Sequence, residues 1–159
     1  MTKMIFRICS ILALAVAASQ TNLSAQGNHS LAGTWEVTVT VTDCQSGALI
    51  RTVHSLQNFS PDGTFSETAN TAARGSSVGV WNRSEAGDGK YSATYWFFRY
   101  LPTGAFASTA QSIDMVTLND NGNQFTASGT VQDFDVNNAL LSTGCFVHSA
   151  VRLSSPGKE

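Results

Sequence analysis

An all-β fold, an eight-stranded antiparallel up-and-down barrel, is predicted by three observations on the sequence. Apolar and polar residues alternate with period two through most of the chain, residues tolerant of positive φ punctuate it at intervals suited to hairpins, and no stretch after residue 26 keeps a helical period.

The first strand is expected over 33–44, where Trp35, Val37, Val39 and Val41 alternate with Thr34, Glu36, Thr38, Thr40 and Thr42. That alternation is the signature of a strand with one face buried. Turn signals follow at Ser46-Gly47, Asp62-Gly63, Asp88-Gly89, Thr103-Gly104, Asn121-Gly122 and Asn137-Asn138. Between them lie β-rich runs at 49–59, 63–70, 77–84, 90–101, 105–119, 123–134 and 140–153. The segment from Thr68 to Gly75 is poor in large apolar residues and reads as a mobile loop. The fifth run carries large residues on both faces, Tyr91, Tyr95 and Phe97 on one and Trp96, Phe98 and Tyr100 on the other. It is expected to meet an interior on one side and a covering loop or a neighbouring subunit on the other, so a homo-oligomer is admitted. Consecutive hairpins either close into a barrel or stack as a two-sheet sandwich, and closure is the reading adopted because it removes exposed strand edges.

The start of the chain reads as a secretory signal peptide over 1–25. Lys3 and Arg7 precede an apolar run from Ile8 to Ala18, and small residues stand at Ser24 and Ala25. That run is about half the length a bilayer-spanning helix needs, so no membrane anchor is expected. A single barrel domain then occupies 26–159, secreted or periplasmic. Without the leader, seven bases face eleven acids, which excludes the basic excess of a nucleic-acid binder. Of three cysteines, Cys44 and Cys145 remain, and an oxidising compartment makes a disulfide between them the expectation over two separate buried thiols. His29, His54 and His148 are too scattered to form the close ligand pairs of structural zinc, so no metal and no cofactor are expected.

Gly33-Thr34-Trp35 opening the first strand, with Arg152 near the end of the last, resembles the calycin superfamily of lipocalins, fatty-acid-binding proteins and avidins. The resemblance implies that Trp35 plugs one end of the barrel and Arg152 packs across its ring. It departs from lipocalins in lacking a Thr-Asp-Tyr turn, and from avidins in lacking a counterpart of their biotin-gripping loop after Glu36. An architectural similarity to allene oxide cyclase-like barrels supplies the enzyme alternative, an isomerase or cyclase.

No catalytic motif stands out. Gly75-Ser76-Ser77-Val78-Gly79 has the spacing of a hydrolase nucleophile elbow, but the helix that elbow requires is missing. His54 and His148 are candidate general bases, with Asp114, Asp133 or Asp135 as partners. Asp133 and Asp135 share a strand face, an arrangement that glycosidase or calcium chemistry uses and that also suits a solvated turn. Arg99 shares a face with Tyr95 and Phe97; turned inward, it would need an acid, with Asp114 the candidate, or an anionic ligand. The function expected is therefore binding of a small apolar or amphipathic molecule, with Tyr95, Phe97 and Arg99 as the binding residues. A filled barrel acting as an interaction module is the further alternative.

Overall fold

The computed structural model describes residues 30–85 and 89–154, and the predicted signal peptide, His29 and Asp88 lie outside them. Eight antiparallel strands follow one another: β1 (Gly33–Thr42), β2 (Leu49–Phe59), β3 (Thr64–Ala69), β4 (Ser77–Arg83), β5 (Lys90–Tyr100), β6 (Phe106–Leu118), β7 (Gln124–Phe134) and β8 (Leu140–Arg152). Each pairs with its neighbour in sequence, and β1 pairs with β8, so the sheet closes into an up-and-down barrel with no helix among the described residues.

The turns form where the backbone permits them. Gly47, Gly63, Gly89, Gly104 and Gly122 all have positive φ at these turns, and among the described residues Asn138 is the non-glycine residue that adopts it, at 62°. Asp135 accepts hydrogen bonds from the Asn137 and Ala139 amides at 2.8 Å each, so it caps this turn.

Alternation decides what lies inside. One half of the barrel is packed solid with rings: Trp35 meets Phe125 at 4.9 Å, and Phe59 meets Phe65 at 5.0 Å and Trp81 at 5.8 Å, all edge to face. Leu31 and Trp35 are fully buried there, and the Trp35 indole N–H donates to the Leu31 carbonyl at 2.9 Å. The Arg152 guanidinium lies 4.1 Å from the Trp35 ring centroid and donates to the carbonyls of Ser30, Ala32 and Gly122 at 2.6–2.7 Å. One side chain therefore ties the entering segment, the β6–β7 turn and the plugging indole together.

Two glycines let the interior side chains approach one another. Gly79 sits in register between Phe65 and Tyr95, whose rings come within 4.6 Å of each other. A Cβ at Gly79 would lie 2.2 Å from the Thr94 carbonyl oxygen, so no other residue fits without moving backbone. Gly129 sits likewise between Asp114 and Phe146, with the Phe146 ring in the space a side chain would take.

At the opposite end, the hollow one, Cys44 and Cys145 form a disulfide with Cα atoms 5.1 Å apart, joining the β1–β2 connection to β8. Closing a loop of about 100 residues is worth about 4.7 kcal/mol in the chain-entropy treatment. Cys44→Ser/Cys145→Ser is accordingly expected to lose several kcal/mol of unfolding free energy in urea titrations, and a loss below about 1 kcal/mol would contradict that account. Arg152→Lys keeps the charge but loses the planar fork, and is expected to cost about 1–3 kcal/mol in the same titration.

Candidate functional site

Beyond the aromatic half, the inward positions become small or polar: Ser55 and Gln57 on β2, Glu67 on β3, Ser77 on β4, Ser108, Ser112 and Asp114 on β6, and His148 on β8, all buried. Smaller side chains leave space, and a cavity of about 370 Å³ opens among Val39, Val53, Tyr95, Phe97, Val131 and Phe146. Its rim is set by Arg51, Arg99, Asp133 and the Ser142–Thr143–Gly144 stretch, and Arg74 lines it further in.

Two polar clusters flank this space. In the first, Glu67 accepts from Ser77 Oγ at 2.7 Å and from Gln57 Nε2 at 3.3 Å, and Arg74 bonds both Glu67 and Ser77. The Arg74 guanidinium also lies 3.5 Å from the centroid of the Phe97 ring. In the second, Asp114 accepts from Ser112 Oγ at 3.0 Å and from the Tyr95 hydroxyl at 3.3 Å. His148 stacks on Phe146 at 4.7 Å and brings Nδ1 to 3.5 Å from Asp114 Oδ2. The two residues stand two strands apart and reach each other across β7, where Ala127 and Gly129 leave the way clear.

The expected binding residues fall on the cavity: Tyr95, Phe97 and Arg99 all line it. Arg99, however, does not meet Asp114. It pairs with Asp133, which also accepts from Ser108 at 3.3 Å and Ser142 at 3.1 Å. The reason is register: Arg99 stands opposite Ser108 near the rim, whereas Asp114 stands opposite Ala93, several residues deeper. The segment read as a mobile loop is instead stitched to β5, with the Gly75 amide donating to the Phe98 carbonyl and the Tyr100 amide to the Ala73 carbonyl, both at 2.9 Å. That stitching is what carries Arg74 into the barrel. Ser77 opens β4 and faces inward, so the Gly75–Gly79 run forms no strand-to-helix elbow. His54 points outward on β2, 3.4 Å from Thr38 Oγ1. No group of three metal-ligating side chains assembles among the described residues.

Reading the residues alone missed Glu67 and Arg74. Glu67 follows Phe65 by two on β3 and so shares its inward face, a signal present in the alternation. Arg74 carries no such signal, because only the fold of its loop sends it inward.

Comparison of the chain with family models, with curated proteins and with solved structures finds no match. No helix among the described residues is long and apolar enough to cross a membrane.

Burial sets the protonation of the second cluster. Loss of water pushes the Asp114 carboxyl from 3.8 up to about 8, against the opposing hydrogen bond from Ser112. The same loss pulls the His148 imidazole from 6.5 down to about 4. Both groups are therefore neutral near pH 7. For Asp114, the folded state holds a proton that the unfolded state has lost between pH 3.8 and 8, so its contribution to stability falls as pH rises through that window. For His148, the unfolded state gains a proton first between pH 4 and 6.5, so its contribution rises with pH there. The two slopes oppose each other up to pH 6.5, and above it only the Asp114 decline remains, ending near pH 8. Urea midpoints measured across this range are expected to show that late decline. Asp114→Asn should abolish it and uncover the rise due to His148, and an unchanged profile in this variant would refute the assignment.

Proposed function

We propose that this chain is a secreted or periplasmic binding barrel of the calycin type, and that it takes a small apolar or amphipathic molecule into the hollow half of its barrel. The observation that carries this reading is the cavity of about 370 Å³. It lies within the roughly 300–1,000 Å³ range of small-molecule sites and combines apolar walls with a few placed polar groups. Tyr95 and Phe97 supply ring surface to bury the guest. Arg99, its charge matched by Asp133, forms a polar rim that meets the outermost atoms of the guest. The calycin part rests on Gly33-Thr34-Trp35 and on the Arg152 guanidinium over the Trp35 ring. The secreted part rests on the leader-like start of the chain and the Cys44–Cys145 disulfide.

The enzyme reading, an isomerase or cyclase, draws support from the convergence of Asp114, His148 and Tyr95 at the inner part of the same space. It would be carried by recovery of a chemically altered guest after incubation.

Solvent extraction of the purified protein, followed by mass spectrometry, is the direct test, with an apolar co-purified molecule as the expected result. Val131→Phe places a ring inside the cavity and is expected to abolish both this retention and the fluorescence enhancement of added 1-aminoanthracene, while the protein stays folded by circular dichroism. Arg99→Ala is expected to weaken retention. Full retention of the guest by folded Val131→Phe would sink the cavity as the binding place.

A further inference from the structure

The inner end of the cavity carries an unusual imbalance. His148 lines the space and its side chain is 1% exposed, yet its Nδ1 has no hydrogen-bond partner. Asp114 Oδ2, at 3.5 Å, is too far to satisfy it well. A buried polar atom left without a partner is costly, and native interiors keep few of them, chiefly where a water or a ligand completes the bond. Ser112 and the Tyr95 hydroxyl, both on the cavity wall, are committed to Asp114. Among the described buried side-chain atoms, His148 Nδ1 and Arg74 Nε are left without a partner on residues of the cavity wall, and Ser55 Oγ is left so away from it.

Charge decides what can come there. The two guanidinium groups paired on the cavity wall, Arg74 with Glu67 and Arg99 with Asp133 at the rim, are each matched in charge, although Arg74 Nε has no hydrogen-bond partner. Arg51 stands at the rim, exposed, where water and salt screen its charge. A carboxylate driven inward would find Glu67 near its path and no unmatched cation among the described inner residues, so its burial would go uncompensated. An ammonium ion would meet neutral Asp114 and neutral His148, and would gain no counter-charge from them.

We propose that the guest is uncharged and seats a carbonyl or hydroxyl group beside His148 at the inner end of the cavity, with its apolar body along Tyr95, Phe97 and Phe146. This inference rests on the binding reading above and narrows it from amphipathic molecules in general to neutral ones. It assigns His148 as a binding residue and leaves Arg99 as a rim residue that carries no anion inward.

The test compares n-octane, 2-octanone, 1-octanol and octanoate by equilibrium partitioning onto the purified protein at about pH 7. The ketone and the alcohol are expected to bind about 10-fold more tightly than octanoate and, with each affinity referred to the compound's own water-to-alkane transfer, several-fold more tightly than octane, the gain of one hydrogen bond to a buried partner. On the same scale His148→Phe, which keeps the stacking on Phe146, should bring the ketone down to the level of octane and leave octane unchanged. Octanoate binding as tightly as the ketone overturns the inference while the binding reading stands. So does an unaltered ketone-to-octane ratio in folded His148→Phe. If none of the four compounds partitions onto the wild-type protein and no apolar guest co-purifies, the binding reading itself fails, and this inference with it. Should His148→Phe not fold, the wild-type ranking of ketone, alcohol and octanoate decides alone.

Discussion

The pairing of β1 with β8 is the constraint on which the rest of the structure depends. Once the sheet closes, every second side chain on eight strands must share one enclosed volume, and a barrel of this size is just wide enough to be filled by side chains or to hold a single small molecule. The inward series then decides between those outcomes locally. Where it reads Trp35, Phe59, Phe125 and Tyr91, the volume is consumed by rings. Where it reads Val39, Val53, Ser112, Val131 and Gly144, atoms run short and space remains. The barrel is thus solid at one end and open at the other because residue size changes along the strands while the backbone geometry continues.

Closure also explains why so many polar groups inside come in sets. An eight-stranded interior offers them no water, so each charge needs a partner from a neighbouring strand or a loop that reaches in. Glu67 draws Arg74 out of the β3–β4 connection, and that insertion explains why a loop poor in apolar residues is nonetheless held in place. Asp133 performs the same office for Arg99 at the rim. Asp114 and His148 resolve the problem differently: Glu67 and Arg74 act on each of them in opposite senses, and burial drives both to their neutral forms. An Asp–His contact that would read as an ion pair by distance alone is, in this environment, a contact between uncharged groups.

Much of the fold was legible in the sequence because closure, period and turn chemistry are local signals. Every strand lies within two residues of its expected bounds, and the described positive-φ residues other than Gly33 fall at the marked turns. The Trp35–Arg152 contact and the Cys44–Cys145 bond were legible for the same kind of reason, one from a short motif and one from residue counting. Register across strands was not. Whether Arg99 meets Asp114 or Asp133 depends on stagger, which alternation does not encode, and both aspartates lie on inward-facing positions. Arg74 was illegible for a further reason: its direction follows from loop backbone bonds to Phe98 and Tyr100, and no periodic pattern reports those.

The position of the disulfide fits this division of the barrel. The solid end holds itself together through ring packing and the bonds of Arg152 to three carbonyls. The hollow end forgoes that packing, and unfilled volume costs stability in proportion to its size. Cys44 and Cys145 join strands at this end, and they close a loop that spans most of the described chain, the arrangement in which a cross-link restricts the unfolded state most. The covalent tie thus offsets a weakness introduced by the cavity.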